Sequence, residues 1–243
     1  MPRQEPYFTP ATFRFLRSLA RHNEREWFEA HREQYESAVR EPALRLITDL
    51  QQPLAKLSRV LVASPKRVGG SLFRIHRDVR FSADKRPYKT HVGMTFFHAA
   101  TKATARAGEG TVDRGRLDAP VLYLHVEPGG NFTGGGVWHP QPDTMKRIRD
   151  FIVDNPRSWE HATRRAEFRK LYELEGDALS RPPRGYRAEH PLIDDLKRKD
   201  FVATSELDED ELLRPDLPKR LVARWQVLRP LLEWQCMALE LEF

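Results

Sequence analysis

A single cysteine, Cys236, among 243 residues excludes an internal disulfide framework and a cysteine-rich zinc site. No apolar run approaches the roughly 20 residues that a bilayer-spanning helix needs. The opening MPRQEPYFTP lacks the basic-then-apolar order of a secretory signal. The expectation is a cytoplasmic, reduced protein with no membrane partner. Familiar catalytic motifs are missing as well: there is no G-x-S-x-G elbow, no Gly-Lys-Ser/Thr phosphate loop and no H-E-x-x-H. No RNA-recognition signature, helix-turn-helix or zinc finger is visible either. Prolines are plentiful at 18, but with 40% apolar residues they mark sharp element ends rather than disorder. The length allows one large domain or two small ones, and no composition break marks a linker, so residues 1–243 read as one domain.

The positive charge is concentrated. Between Ser64 and Ala107 lie ten lysines and arginines against only Asp78 and Asp84, a net +8, while the rest of the chain sums to −2 of the overall +6. Such a segment reads either as a local field for an anion or as a solvated face beside acidic helices. A second basic cluster, LKRKDF, occupies 196–201 and suits a helix end.

Hydrophobic periodicity supplies the elements. Thr9-Pro10 opens a helix, with the hydroxyl as cap and proline where its missing N–H costs nothing. Asn23 and Glu26 have the spacing of a capping box, so Asn23 is expected to cap a second helix carrying Trp27, Phe28, His31, Tyr35 and Val39. Leu44, Ile47, Leu50, Leu54 and Leu57 form the buried stripe of a third. The period then changes to two. In SLFRIHRDVRF, the residues Phe73, Ile75, Val79 and Phe81 share one face with Arg77, and Arg74, His76, Asp78 and Arg80 share the other. HVGMTFFH and VLYLHVE repeat the alternation, and NFTGGGVWH returns after Pro-Gly-Gly-Asn as an antiparallel partner. Glycines 134–136 suggest a strand over which something approaches closely. The stretch from His98 to Pro120 reads as a long mobile loop. Helices follow over 141–155 and 159–174, RPPRGY is a stiff loop, and DFVATSEL is a late strand. The final helix, from Leu217, carries Trp225, Leu228, Leu232 and Cys236 on one stripe and a kink at Pro230. Helices, sheet, helices define an α+β fold: an antiparallel sheet of four or five strands packed on N-terminal and C-terminal helices.

If those strands are neighbours, their polar faces gather Arg74, His76, Asp78, Arg80, His91, Thr95, Tyr123, His125 and Glu127 on one surface. Arginine offers a planar fork suited to phosphate or carboxylate, and histidine a proton exchanged near neutrality. Arg74, Arg77, Asp78, Arg80, Lys85, Tyr88, Lys89, His91 and Tyr123 are then the candidate ligand-binding residues. His125, Glu127 and His76 are the candidate acid/base groups. The same arginines and aspartates equally suit a structural ion-pair ladder, and Arg77, on the apolar side, suits that reading better. His76, His91 and His125 with Asp78 or Glu127 would also suffice for zinc or iron(II), but no compact ligand spacing supports it, so no metal ligand is assigned.

Arg74-x-x-Arg77-Asp78-x-Arg80-Phe81, followed by Asp84-Lys85 and Tyr88, resembles the signature of the bacterial and fungal domain-of-unknown-function family 2461. NEREWF at 23–28, SPKR at 64–67, KRPYKTH at 85–91, YLHVEPGG, GGGVWHP and LKRKDFV extend the resemblance over nearly the whole chain. It implies one domain organised around the basic strand and names no reaction or cofactor. The function expected from the residues is a pocket on the polar face for a small phosphorylated or carboxylated ligand, with acid/base chemistry beside it. A nucleic-acid-binding module and a protein-docking scaffold are the alternatives.

Overall fold

The computed structural model describes residues 5–101 and 118–243. The expected loop therefore lies, for the most part, outside the described residues, as do Lys102 and Arg106 of the basic segment. The N-terminal layer is helical: α1 (Pro10–Arg21), α2 (Arg25–Ala30), α3 (Arg32–Tyr35), a π-helical turn over Glu36–Arg40, and α4 (Glu41–Leu57). Thr9 caps α1 as expected, accepting from the Ala11 amide while Thr12 reaches back to the Thr9 amide. Asn23 does not cap α2. The N-cap is Glu24, and the Asn23 side chain is drawn away to the backbone of Tyr88, as described below. On α4 the buried stripe is Ala43, Leu46, Ile47, Leu50, Leu54 and Leu57, with Leu44 only half-buried at its edge.

The sheet has six strands, slightly more than expected: β1 (Leu61–Val62), β2 (Val92–His98), β3 (Val121–Val126), β4 (Phe132–Val137), β5 (Glu173–Glu175) and β6 (Phe201–Glu206). Their order is β1-β2-β3-β4-β6-β5, antiparallel at every pairing. The residues from Trp159 to Leu174 are not one helix. They form α6 (Pro156–Arg164) and α7 (Ala166–Leu171) and then the short edge strand β5, which starts directly after Tyr172. The remaining helices are α5 (Pro142–Asp154), α8 (Ile193–Leu196), α9 (Glu209–Leu212) and α10 (Leu217–Ala238).

Register decides which face is buried. Val92, Met94 and Phe96 of β2, Leu122, Leu124 and Val126 of β3, and Phe201 and Ala203 of β6 are buried together. Helix α10 lies against this inner face. Trp225 is fully buried 5.1 Å from the Phe96 ring, and its indole Nε1 donates to Thr133 Oγ1 at 2.9 Å. Gln235 Nε2 donates to the Phe201 carbonyl and Arg224 to Ser205 Oγ, so these two donors of the helix meet acceptors on the sheet, while Gln235 Oε1 is buried without a partner among the described residues. Cys236 is buried here, its thiol pushed up to about 12 chiefly by burial and then by Glu233, as suits a packing residue.

What approaches the glycine strand is its neighbours' backbone. A Cβ at Gly134 would lie 2.4 Å from the Ala203 carbonyl oxygen, and one at Gly135 2.5 Å from that of Val121. Gly136 adds a φ of +132°, with the Phe201 carbonyl oxygen 2.1 Å from the missing Cβ. Gly136→Ala should therefore destabilise the protein by ~2–4 kcal/mol, combining backbone strain with a clash against a central strand. Chemical denaturation checks this; an unchanged midpoint would mean that β4 and β6 part without cost.

Candidate functional site

The segment expected as a regular strand over 71–81 is an irregular arm beside β2. Ser71, Leu72 and Phe73 pair with Thr95, Met94 and Gly93, but further on only the isolated bridge His76–Tyr88 closes a hairpin. Arg77 N donates to the Pro87 carbonyl and Lys89 N to that of Ile75. The alternation fails at the tip, where Phe81 is 93% exposed, with no described helix covering it. Ion pairs hold the tip instead. Asp84 accepts from Arg77 at 2.6 Å and Arg86 at 2.7 Å, and Asp78 accepts from Arg80 at 2.6 Å. Lys85 Nζ bonds the Val79 carbonyl, and Lys89 Nζ bonds the carbonyls of Arg74 and His76. Burial, then Arg74 and Arg77, push Lys89 down to about 8.

The base of the arm is tied to the helical layer. Asn23 Nδ2 donates to the Tyr88 carbonyl at 3.0 Å, and its Oδ1 accepts from the Tyr88 amide at 2.9 Å. The buried Tyr88 ring stacks on Phe28 at 4.2 Å, with the His76 ring 5.1 Å away. Burial first, then Arg74 and Arg32, lower the His76 pKa. Tyr88 and His76 thus sit at the junction between arm and helices rather than beside His125.

Four of the expected residues do come together. Gly93 pairs with His125 and Val92 with Val126 in the β2–β3 register, and His91, just before β2, lies with a ring nitrogen within 4.8 Å of a Glu127 oxygen just after β3. His91, Tyr123, His125 and Glu127 occupy the outer face of the sheet. Tyr123 Oη lies 3.1 Å from His125 Nδ1, and His125 Nε2 lies 3.1 Å from Glu127 Oε2. Thr90 Oγ1 donates to Glu127 Oε1 at 2.9 Å. The Glu127 amide donates to Asn131 Oδ1 across a turn in which Gly129, with φ +81°, follows Pro128. The His125 ring is sandwiched, 4.7 Å from Phe132 on one side and 4.3 Å from His91 on the other. Gly93 leaves room for the phenol: a Cβ there would lie 2.7 Å from Tyr123 Oη.

Burial dominates the electrostatics. It pushes His91 down to about 4, with the neighbouring His125 adding to the effect, and raises Tyr123 to about 12. At Glu127 burial opposes ionisation, but the hydrogen bonds from His125 and Thr90 outweigh it and lower the pKa. One nitrogen from each of His91 and His125 and one oxygen of Glu127 lie within 4.8 Å of one another, the one such three-residue group among the described residues. His91 makes no side-chain hydrogen bond among the described residues.

Sequence reasoning missed Thr90, Asn131 and Phe132, which hold the site's carboxylate, its turn and its ring stack. It also read Asn23 as a cap. Thr90 stood between the assigned Lys89 and His91 and Asn131 in the turn after Glu127, but nothing in their spacing marked them.

The chain is thus an α+β protein with an antiparallel sheet, one face covered by helices and the other carrying a histidine–carboxylate group. A family described as a conserved hypothetical protein (DUF2461) matches residues 11–234, and the chain belongs to it. No curated protein and no solved structure matches the chain.

The aspartates of the arm carry a pH signature. Hydrogen bonds from the Arg80 side chain and amide hold Asp78 down to about 2, and those from Arg86 and Arg77 hold Asp84 below its usual 3.8. Depressed carboxyl pKa values stabilise the folded arm above the unfolded value, and that contribution is lost as pH falls toward 2. Carboxyl-carbon NMR should place the Asp78 midpoint near 2. Trypsin should also cut Asp84→Asn after Arg80 or Lys85 faster than the native chain at neutral pH. Equal cleavage would show that the ion pairs do not order the tip.

Proposed function

We propose that the protein, as one domain, binds a divalent transition-metal ion through His91, His125 and Glu127 and presents it to a small anionic ligand on the outer face of the sheet. The observation that carries this reading is the convergence of two imidazole nitrogens and one carboxylate oxygen within 4.8 Å. Metal–ligand bonds of ~2.0–2.2 Å set tetrahedral ligand atoms roughly 3.3 Å apart. The His125–Glu127 pair, at 3.1 Å, already has that spacing. His91 would close the remainder by side-chain rotation, with no hydrogen bond to break. Two imidazoles and a carboxylate suit zinc or iron(II). Three protein ligands leave a position for water or for a phosphate or carboxylate oxygen of the ligand, which a metal would polarise. Tyr123 on the far nitrogen of His125 and Thr90 on the second oxygen of Glu127 are the outer partners that orient such ligands. Lys89 and Arg77 act electrostatically on His91, supplying positive potential for an anion.

A second reading rests on a separate observation. Both nitrogens of His125 lie within hydrogen-bond distance of partners, giving a continuous Tyr123–His125–Glu127 chain. In that reading Glu127 orients His125, which exchanges a proton with ligand or with Tyr123, and no metal takes part. Nucleic-acid binding draws less support, because Asp78 and Asp84 already engage Arg77, Arg80 and Arg86.

Titrating chelator-treated protein with cobalt(II), followed by absorption spectroscopy and calorimetry, separates the readings. The metal reading expects one ion per chain, at least tenfold weaker binding in His91→Ala and Glu127→Ala, and a smaller loss in Tyr123→Phe. No stoichiometric cobalt, or affinity untouched by His91→Ala, overturns it in favour of the proton-transfer chain.

A further inference from the structure

A second site stands apart from the sheet face. Helix α5 and the turn at 183–186 enclose a cleft of about 340 Å³ lined by Pro142, Lys146, Arg149, Asp150, Arg184 and Tyr186, among others. The cleft is positive. Its one lining carboxylate, Asp150, is already taken by Lys146 at 2.6 Å and by the Tyr186 hydroxyl at 2.8 Å. Arg149 and Arg184 are left over, a lining charge of +2.

Arg149 is the unusual member. It is only 8% exposed, and no carboxylate pairs with it among the described residues. Its Nη2 donates to the Arg198 carbonyl at 2.8 Å, while its Nε is sealed from solvent without an acceptor. The basic cluster at 196–201 therefore aims the guanidinium through a backbone oxygen and adds no counter-charge. A buried, unpaired cation is strongly disfavoured unless an anion or further acceptors compensate it. The turn opposite is shaped to face it: the Tyr186 amide donates to the Pro183 carbonyl, and Gly185, at φ +89°, sets Arg184 at the corner.

We propose that this cleft is a binding site for an oxyanion, a phosphate or carboxylate group of a small molecule, held by the Arg149 guanidinium with Arg184 at the rim. The Arg149 Nη1, with no hydrogen bond among the described residues and not sealed as Nε is, is free to donate to an oxygen of either group. Lys146 and Tyr186 each hold one oxygen of Asp150, the one carboxylate of the lining. The proposal does not depend on the metal reading of the sheet face, since no residue is shared.

The test is stabilisation of the full chain by inorganic phosphate and, separately, by malonate, each against chloride at equal ionic strength, with affinity taken from calorimetry. One of the two anions should bind saturably and raise the unfolding midpoint, and which one does so tells phosphate from carboxylate recognition. Arg149→Met keeps the aliphatic stem and removes the unpaired charge. It should fold at least as stably without anion and bind the effective anion at least tenfold more weakly. Arg184→Ala, a surface change, should weaken binding several-fold without touching the fold. The proposal is overturned if neither anion exceeds chloride, or if both variants keep the native affinity. Should Arg149→Met fail to fold, Arg184→Ala alone decides, and undiminished binding there overturns the site.

Discussion

Helix α10 pressed against one face of the sheet is the contact on which the other features depend. Its apolar stripe packs on the inward face of the sheet, with Trp225 against the Phe96 ring and on Thr133 and with Gln235 on the Phe201 carbonyl. Fully burying each large side chain there contributes ~1.5–3 kcal/mol. Because strand side chains alternate, burying one set commits the other to the opposite face. Tyr123, His125 and Glu127 share a surface for that reason: Leu122, Leu124 and Val126 have already claimed the core.

The arm over 71–91 shows how a charged segment is tamed. Arg77, Arg80 and Arg86 are bound to aspartates two to seven residues away, within the same loop. Exposed pairs of this kind contribute little individually to global stability. Their effect is local, giving a tip without regular strand pairing a single shape. The helical layer completes the job through Asn23, whose side chain holds both backbone groups of Tyr88. Arg77, Arg80 and Arg86 here serve the architecture of the arm, and the proposed site lies with the histidines at its foot.

Much of the fold was legible because periodicity is a property of single segments. The α1 cap, the outward and inward sets of β2 and β3, the glycine hairpin partner β4, the late strand β6 and the stripe of α10 all follow from local spacing. The failures have one cause. Asn23 has the pattern of a cap, but a partner 65 residues away outcompetes the helix end for its amide. Phe81 continues the alternation but is left exposed among the described residues, and the residues after Leu171 leave the helix because β6 offers an edge to pair with.

The candidate site divides in the same way. The sequence by itself determined that His91, Tyr123, His125 and Glu127 would be the polar members of alternating strands, since a two-residue period depends only on order along the chain. It also determined that the basic segment would be dense in arginine. Tertiary structure alone decided which of these meet. Antiparallel register brought His91 close to Glu127, Gly93 opened space for the Tyr123 phenol, and the arm turned Arg77, Arg80 and Arg86 onto their own aspartates. Pairing across 30 or more residues rests on register and packing, and neither is written in the spacing of any one segment.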